Sequence, residues 1–122
     1  ARHATAEEVR MLGDMIVEDR ALMPDPNALA RANRRFHRQI HLASHNRFLV
    51  QQLDLVYRSM ALMATTSLAV EGRSETALSE HQQIVDAIGA RDEDAADASL
   101  RSHISNAFVQ RLKQDAQKPV AP

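Results

Sequence analysis

The chain contains no cysteine, only three glycines and few aromatic residues among its 122 positions. Without cysteine there can be no disulfide and no thiolate metal site, so any metal must be held by nitrogen and oxygen ligands. The same absence fits a reducing compartment, and the cytoplasm is the expected location. An excess of one charge is missing too. Fifteen basic residues meet sixteen acidic ones, for a formal net charge of −1, so no global basic field draws the chain to nucleic acid or to an anionic membrane. The longest uncharged run, Ser59 to Val70, covers 12 residues and cannot span a bilayer. The opening Ala-Arg-His-Ala has neither a basic n-region nor an apolar h-region, so no signal peptide is visible. His-Glu-x-x-His, a glycine-rich phosphate loop and a nucleophile elbow are all absent, which leaves little to support a hydrolase or an oxidase.

What is abundant is Ala, Leu, Arg, Gln and Glu, the composition of an all-α protein of a single domain. Thr5 and Glu8 have capping-box spacing, which predicts a helix from Thr5 with Val9, Leu12, Met15 and Ile16 as its apolar stripe, ended by Pro24. Asp25 before Pro26 reads as an N-cap followed by proline at the first helical position. The second helix then carries Leu29, Phe36, Ile40 and Ala43 on one face, with Arg31, Arg34, Arg35 and Arg38 on the other, and closes at Ser44 to Asn46. A third helix is predicted over about 47–67, with Leu49, Leu53, Val56, Met60 and Met63 on one face and Val50, Leu55, Tyr57 and Leu62 off it. A helix apolar nearly all round is either central or covered by another subunit. A fourth helix, about 75–90, uses Leu78, Ile84, Val85 and Ile88. Gly89 and the Asp92 to Asp94 run mark the next turn, with Asp92 as N-cap. The fifth, to about Gln114, uses Leu100, Ile104, Ala107, Phe108 and Leu112, and residues 118–122 are expected to be a flexible tail.

Three histidines on three of these helices lie among apolar neighbours at helical spacing. His37 and Asn33, four apart on the second helix, both flank its core stripe. His81 lies between Leu78 and Val85, and His103 between Leu100 and Ala107. Neutral imidazole is the commonest side-chain ligand for divalent transition metals, so three convergent rings could hold such an ion and leave positions open. Each histidine alone reads more readily as a core residue satisfied by hydrogen bonds; three on three helices shift the balance towards the site. His37, His41 and His45 also repeat every four residues, but successive steps of about 40° carry His41 and His45 off the core face. Glu80 adjoins His81, yet adjacency places it about 100° away round the helix, and no Glu-x-x-His motif exists. Arg58 is the lone charge between Leu55 and Val70. On a buried helix it would need an anionic partner, either Asp54 one turn earlier or a ligand carboxylate held bidentately.

The segment from Asn33 through Phe36, His37, Ile40, Ala43 and Ser44 to Asn46 resembles the "D-x-x-F-H-x-x-I…A-S-x-N" stretch of the FCD domain. That domain is the effector-binding half of a large branch of the GntR-type bacterial transcriptional regulators. Glu80, His81, Ile84, Ala87, Ile88 and Asp92 are similar to the family's "E-H-x-x-I-x-x-A-I…x-D", and Ala95 and His103 fall at its spacing. The resemblance covers nearly the whole chain, placing an FCD-like domain at 1–117. It implies an antiparallel helical bundle enclosing a ligand or metal cavity, and a divalent transition metal, zinc or nickel first, held by Asn33, His37, His81 and His103. It also implies a small carboxylate effector, with Arg58 where such domains often carry a basic residue facing the pocket. Aspartate is usual at the position of Asn33; the amide removes a negative charge from the ligand set and should weaken the metal. The surplus apolar surface of the third helix points to a homodimer, and the resemblance implies a winged-helix DNA-binding domain preceding residue 1, with part of the family's first effector-domain helix also missing. DNA would be bound only through that absent domain.

The expectation is therefore a metabolite-sensing domain and not an enzyme. The alternative from another class is a metal-dependent enzyme with a three-histidine site and an open position for water, against which stands the lack of a convincing general base. A purely structural helical module with core histidines is the third reading.

Overall fold

In the computed structural model, which describes residues 1–60 and 66–121, the chain is an all-helical bundle. Its elements are α1 (Ala6–Arg20), α2 (Pro26–Leu42), α3 (Arg47–Met60), a short 3-10 turn (Ser67–Ala69), α4 (Arg73–Gly89) and α5 (Glu93–Ala116). The helix starts follow local chemistry. Thr5 accepts from the Glu8 amide and Glu8 accepts from the Thr5 amide, each at 3.1 Å, completing the expected capping box. Asp25 Oδ1 accepts from the amides of Asn27 and Ala28 with Pro26 at the first turn, and Asp92 accepts from Ala95 at 3.0 Å. Each such cap contributes about 1 kcal/mol.

The turn between α4 and α5 is built differently from its sequence reading. Gly89 is the last residue of α4, where a Cβ would come within 3.3 Å of Val9 Cγ1 on α1; its smallness serves helix approach. The left-handed residue that turns the chain is Arg91, φ 59°. Its guanidinium donates to the carbonyls of Ala1 and Ala4, pinning the first residues across the turn, while Arg2 grips Glu93 through two bonds of 2.8 Å.

The main core joins Leu12 and Ile16 of α1, Phe36 and Ala43 of the second helix region, and Ile84, Val85 and Ile88 of α4, with Val9, Met15, Ile40 and Leu100 packed against it. A second cluster places Leu29 and Ala77 beside Leu68 of the 3-10 turn. α4 is the central helix: nine of its 17 residues are buried, and it packs against both α1 and α5.

Of the two alternatives for α3 the central one is excluded, which leaves cover by another subunit: none of its residues is buried, and it lies mainly against α2. Its inward line is Val50, Leu53 and Tyr57, all half-buried, whereas Leu49, Val56 and Met60 of the predicted face are exposed. Among the described residues α2 is its main neighbour, so only a narrow line is covered. Met63 and Leu62 lie outside the described residues, and Ser67, the predicted helix end, begins the 3-10 turn capped by Thr66. For α5 the predicted face is half wrong. Leu100 and Ala107 are half-buried, while Ile104, Phe108 and Leu112 are exposed, because α4 covers only a seam running through Leu100, His103 and Ala107.

Candidate metal centre

α2, α4 and α5 each direct one buried histidine to a common point. His37 Nε2 lies 3.1 Å from His103 Nε2, and His81 Nε2 lies 3.3 Å from the same atom. Among the described residues this trio is a group able to supply three nitrogen ligands to one ion, all within 4.8 Å of one another. At zinc–nitrogen distances of about 2.0–2.1 Å, tetrahedral geometry sets ligand nitrogens roughly 3.3 Å apart, which the two spacings to His103 match. The rings touch one another, with centroids 4.7–5.1 Å apart. Phe36 stacks on His81 at 4.2 Å and fixes its plane.

Electrostatics keep the rings neutral, the state in which imidazole is a ligand. Burial, then the neighbouring charges of His103 and His41, lowers the pKa of His37 to about 3. Burial again, followed by His37, His103 and Arg73, takes His81 to about 2. Burial also lowers His103, partly offset by its bond to Glu80. His81 Nδ1 is buried with no hydrogen-bond partner among the described residues.

Glu80, set aside on the sequence because it points about 100° away from His81, is part of the site. Its Oε1 accepts from His103 Nδ1 at 2.9 Å and from Arg73 Nη1 at 2.8 Å, and its Oε2 accepts from Asn106 Nδ2 at 2.6 Å. Burial pushes the Glu80 carboxyl up, but the donors Asn106, His103 and Arg73 together outweigh it and hold it below its ordinary range. α4 is buried over so wide an arc that a 100° offset does not carry a side chain out to solvent. The available signal was a pair of charges, Arg73 and Glu80, two turns apart on a face that also carries Ala77 and Ile84.

Asn33 is half-buried one turn before His37. Arg58 is exposed, so the premise that it lies on a buried helix fails. Asp54, its suggested partner, instead meets Arg38 at 3.4 Å. Arg58 lines an open cleft of about 360 Å³ with Arg34, Arg38, His41, Asp54 and Tyr57. The Tyr57 ring, 6.0 Å from that of His37 and 5.2 Å from that of His41, stands between cleft and trio. His45 is drawn away to Glu8 at 3.0 Å, which breaks the alternative His37–His41–His45 ladder.

Among known proteins, the chain is similar to the galactonate operon transcriptional repressor of Escherichia coli (strain K12), with 29% identity over 116 residues, 93% of this chain and 50% of the relative. The chain thus spans about half the length of that curated relative. No solved structure matches it significantly. No helix among the described residues is long and apolar enough to cross a membrane. The FCD domain model matches residues 1–106, the stretch that contains all three histidines and the clasp around Glu80, and the chain belongs to the FCD domain family.

Proposed function

We propose that the chain is the effector-sensing domain of a GntR-type transcriptional regulator, in which a divalent metal on His37, His81 and His103, with Asn33 as a fourth ligand, helps bind a small carboxylate metabolite. The observation that carries this is the convergence of three neutral imidazoles on one point at 3.1 and 3.3 Å. The metal would supply a fixed positive charge for an anion, and this chain's residues hold and orient it. Arg58, with Arg34 and Arg38 in the cleft behind Tyr57, would receive the carboxylate. A DNA-binding domain outside this chain would read the result as a shift in dimer geometry, in the cytoplasm. A second copy of the chain is the partner that best suits the exposed apolar residues of α3 and α5.

The enzymatic alternative is weakened by the engagement of Glu80 with three donors, which leaves the nearest carboxylate unfit as a free general base. The test is metal analysis of purified protein, followed by a thermal-shift screen of small organic acids with and without zinc or nickel. Galactonate, the sugar acid in the relative's name, belongs in the screen. An acid that raises the melting temperature only with metal present supports the reading; failure of the chain to take up either metal defeats it. Arg58→Ala should weaken the acid's stabilisation while leaving metal uptake intact.

A further inference from the structure

We infer that Glu80 is a positioning residue for the histidine trio: clasped by Arg73 and Asn106, it fixes His103 with the proton on Nδ1 and the Nε2 lone pair aimed at His37 and His81. The inference rests on the metal-site reading above and adds a residue to it. Its geometry is specific. His103 Nε2 is the nitrogen to which both other rings are close, at 3.1 and 3.3 Å, so its orientation sets the centre of the site. A neutral imidazole carries one N–H, and a nitrogen 2.9 Å from a carboxylate oxygen must carry it, because two facing lone pairs repel. The Nε2 of His103 is then the acceptor, free to coordinate. A carboxylate behind the ring also raises its donor strength, as outer partners of metal-bound histidines do.

The clasp explains why a carboxylate is stable there. Arg73 is 4% exposed, and its guanidinium supplies the charge that offsets a buried anion. Arg73 sits two turns before Glu80 on α4, and Asn106 one turn after His103 on α5. Both oxygens of Glu80 are therefore held from the two helices that supply His81 and His103. Rotation of Glu80 away from His103 would break bonds on both helices.

The experiment measures zinc affinity by competition with a chromophoric chelator for the wild-type chain, Glu80→Gln and Glu80→Asp, with circular dichroism to establish folding. Long-range ¹H–¹⁵N NMR of the metal-free wild type reads the His103 tautomer. The expected results are an Nδ1–H tautomer at His103 and roughly 10–100-fold weaker zinc binding in Glu80→Gln. Glu80→Asp, which keeps the charge on a shorter arm, should recover part of the loss. An Nε2–H tautomer in the wild type overturns the inference, and that result does not depend on any variant folding. Unchanged zinc affinity in folded Glu80→Gln overturns it as well, leaving the metal site standing. Failure of the wild type to bind zinc or nickel removes the site itself, and the positioning role with it.

Discussion

At the scale of single residues, burial of neutral imidazole makes stability depend on pH. His37 and His81 hold pKa values of about 3 and about 2 against an ordinary 6.5. Below 6.5 the unfolded chain takes protons that the folded chain refuses, so stability is complete above that pH and declines as pH falls towards 3. Each ring adds a slope of up to about 1.4 kcal/mol per pH unit. Urea titrations of chelator-treated protein across this window should show the decline, and His81→Leu should make it shallower; a flat profile in the parent would contradict the buried neutral state. Asn33 offers a second test. A carboxylate one turn before His37 would add a charge that divalent ions reward, so Asn33→Asp should tighten zinc binding in calorimetry. Equal or weaker binding would remove position 33 from the ligand set.

At the scale of elements, the α4–α5 turn is tied to the first residues of the chain. Arg91 accepts a left-handed backbone, at a cost on the order of 1 kcal/mol, and uses its side chain to hold the carbonyls of Ala1 and Ala4. Arg91→Ala keeps the strain and loses the latch, whereas Arg91→Gly loses the latch and relieves the strain. Both should raise amide exchange over residues 2–5, and Arg91→Gly should melt higher than Arg91→Ala by roughly 2–6 °C, since about 1 kcal/mol separates them. Identical melting of the two would show that the left-handed conformation carries no strain.

At the scale of the whole molecule, the apolar surface is unevenly covered. Phe48, Leu55, Val56 and Met60 on α3, and Ile104, Phe108 and Leu112 on α5, are exposed, with Phe108 61% accessible. Ile104, Phe108 and Leu112 repeat every fourth residue and so form one stripe. If a second copy covers α5, light scattering at tens of micromolar should give a dimer mass, and the double change Ile104→Glu with Phe108→Glu should give a monomer with unchanged helicity. A monomeric parent, or a double variant that stays dimeric, would rule out this stripe as the contact.

Local chemistry was legible in the sequence wherever a few neighbouring residues decide the outcome. Thr5 with Glu8, Asp25 with Pro26, and Asp92 each start a helix through bonds to amides within three residues, and the expected starts stand. The stripes of α1, α2 and α4 were legible because those helices bury a face that matches their periodicity, and the same periodicity brought out His37, His81 and His103. Where coverage depends on how many neighbours a helix has, sequence alone was insufficient. α3 has apolar residues on several faces but packs mainly on α2, so Arg58 is exposed; α5 meets α4 along one seam, so half its predicted face is open. Glu80 was decided by tertiary structure too. Only the close approach of α4 and α5 brings Arg73, His103 and Asn106 around one carboxylate, and an angle on an isolated helix cannot report what a second helix places beside it.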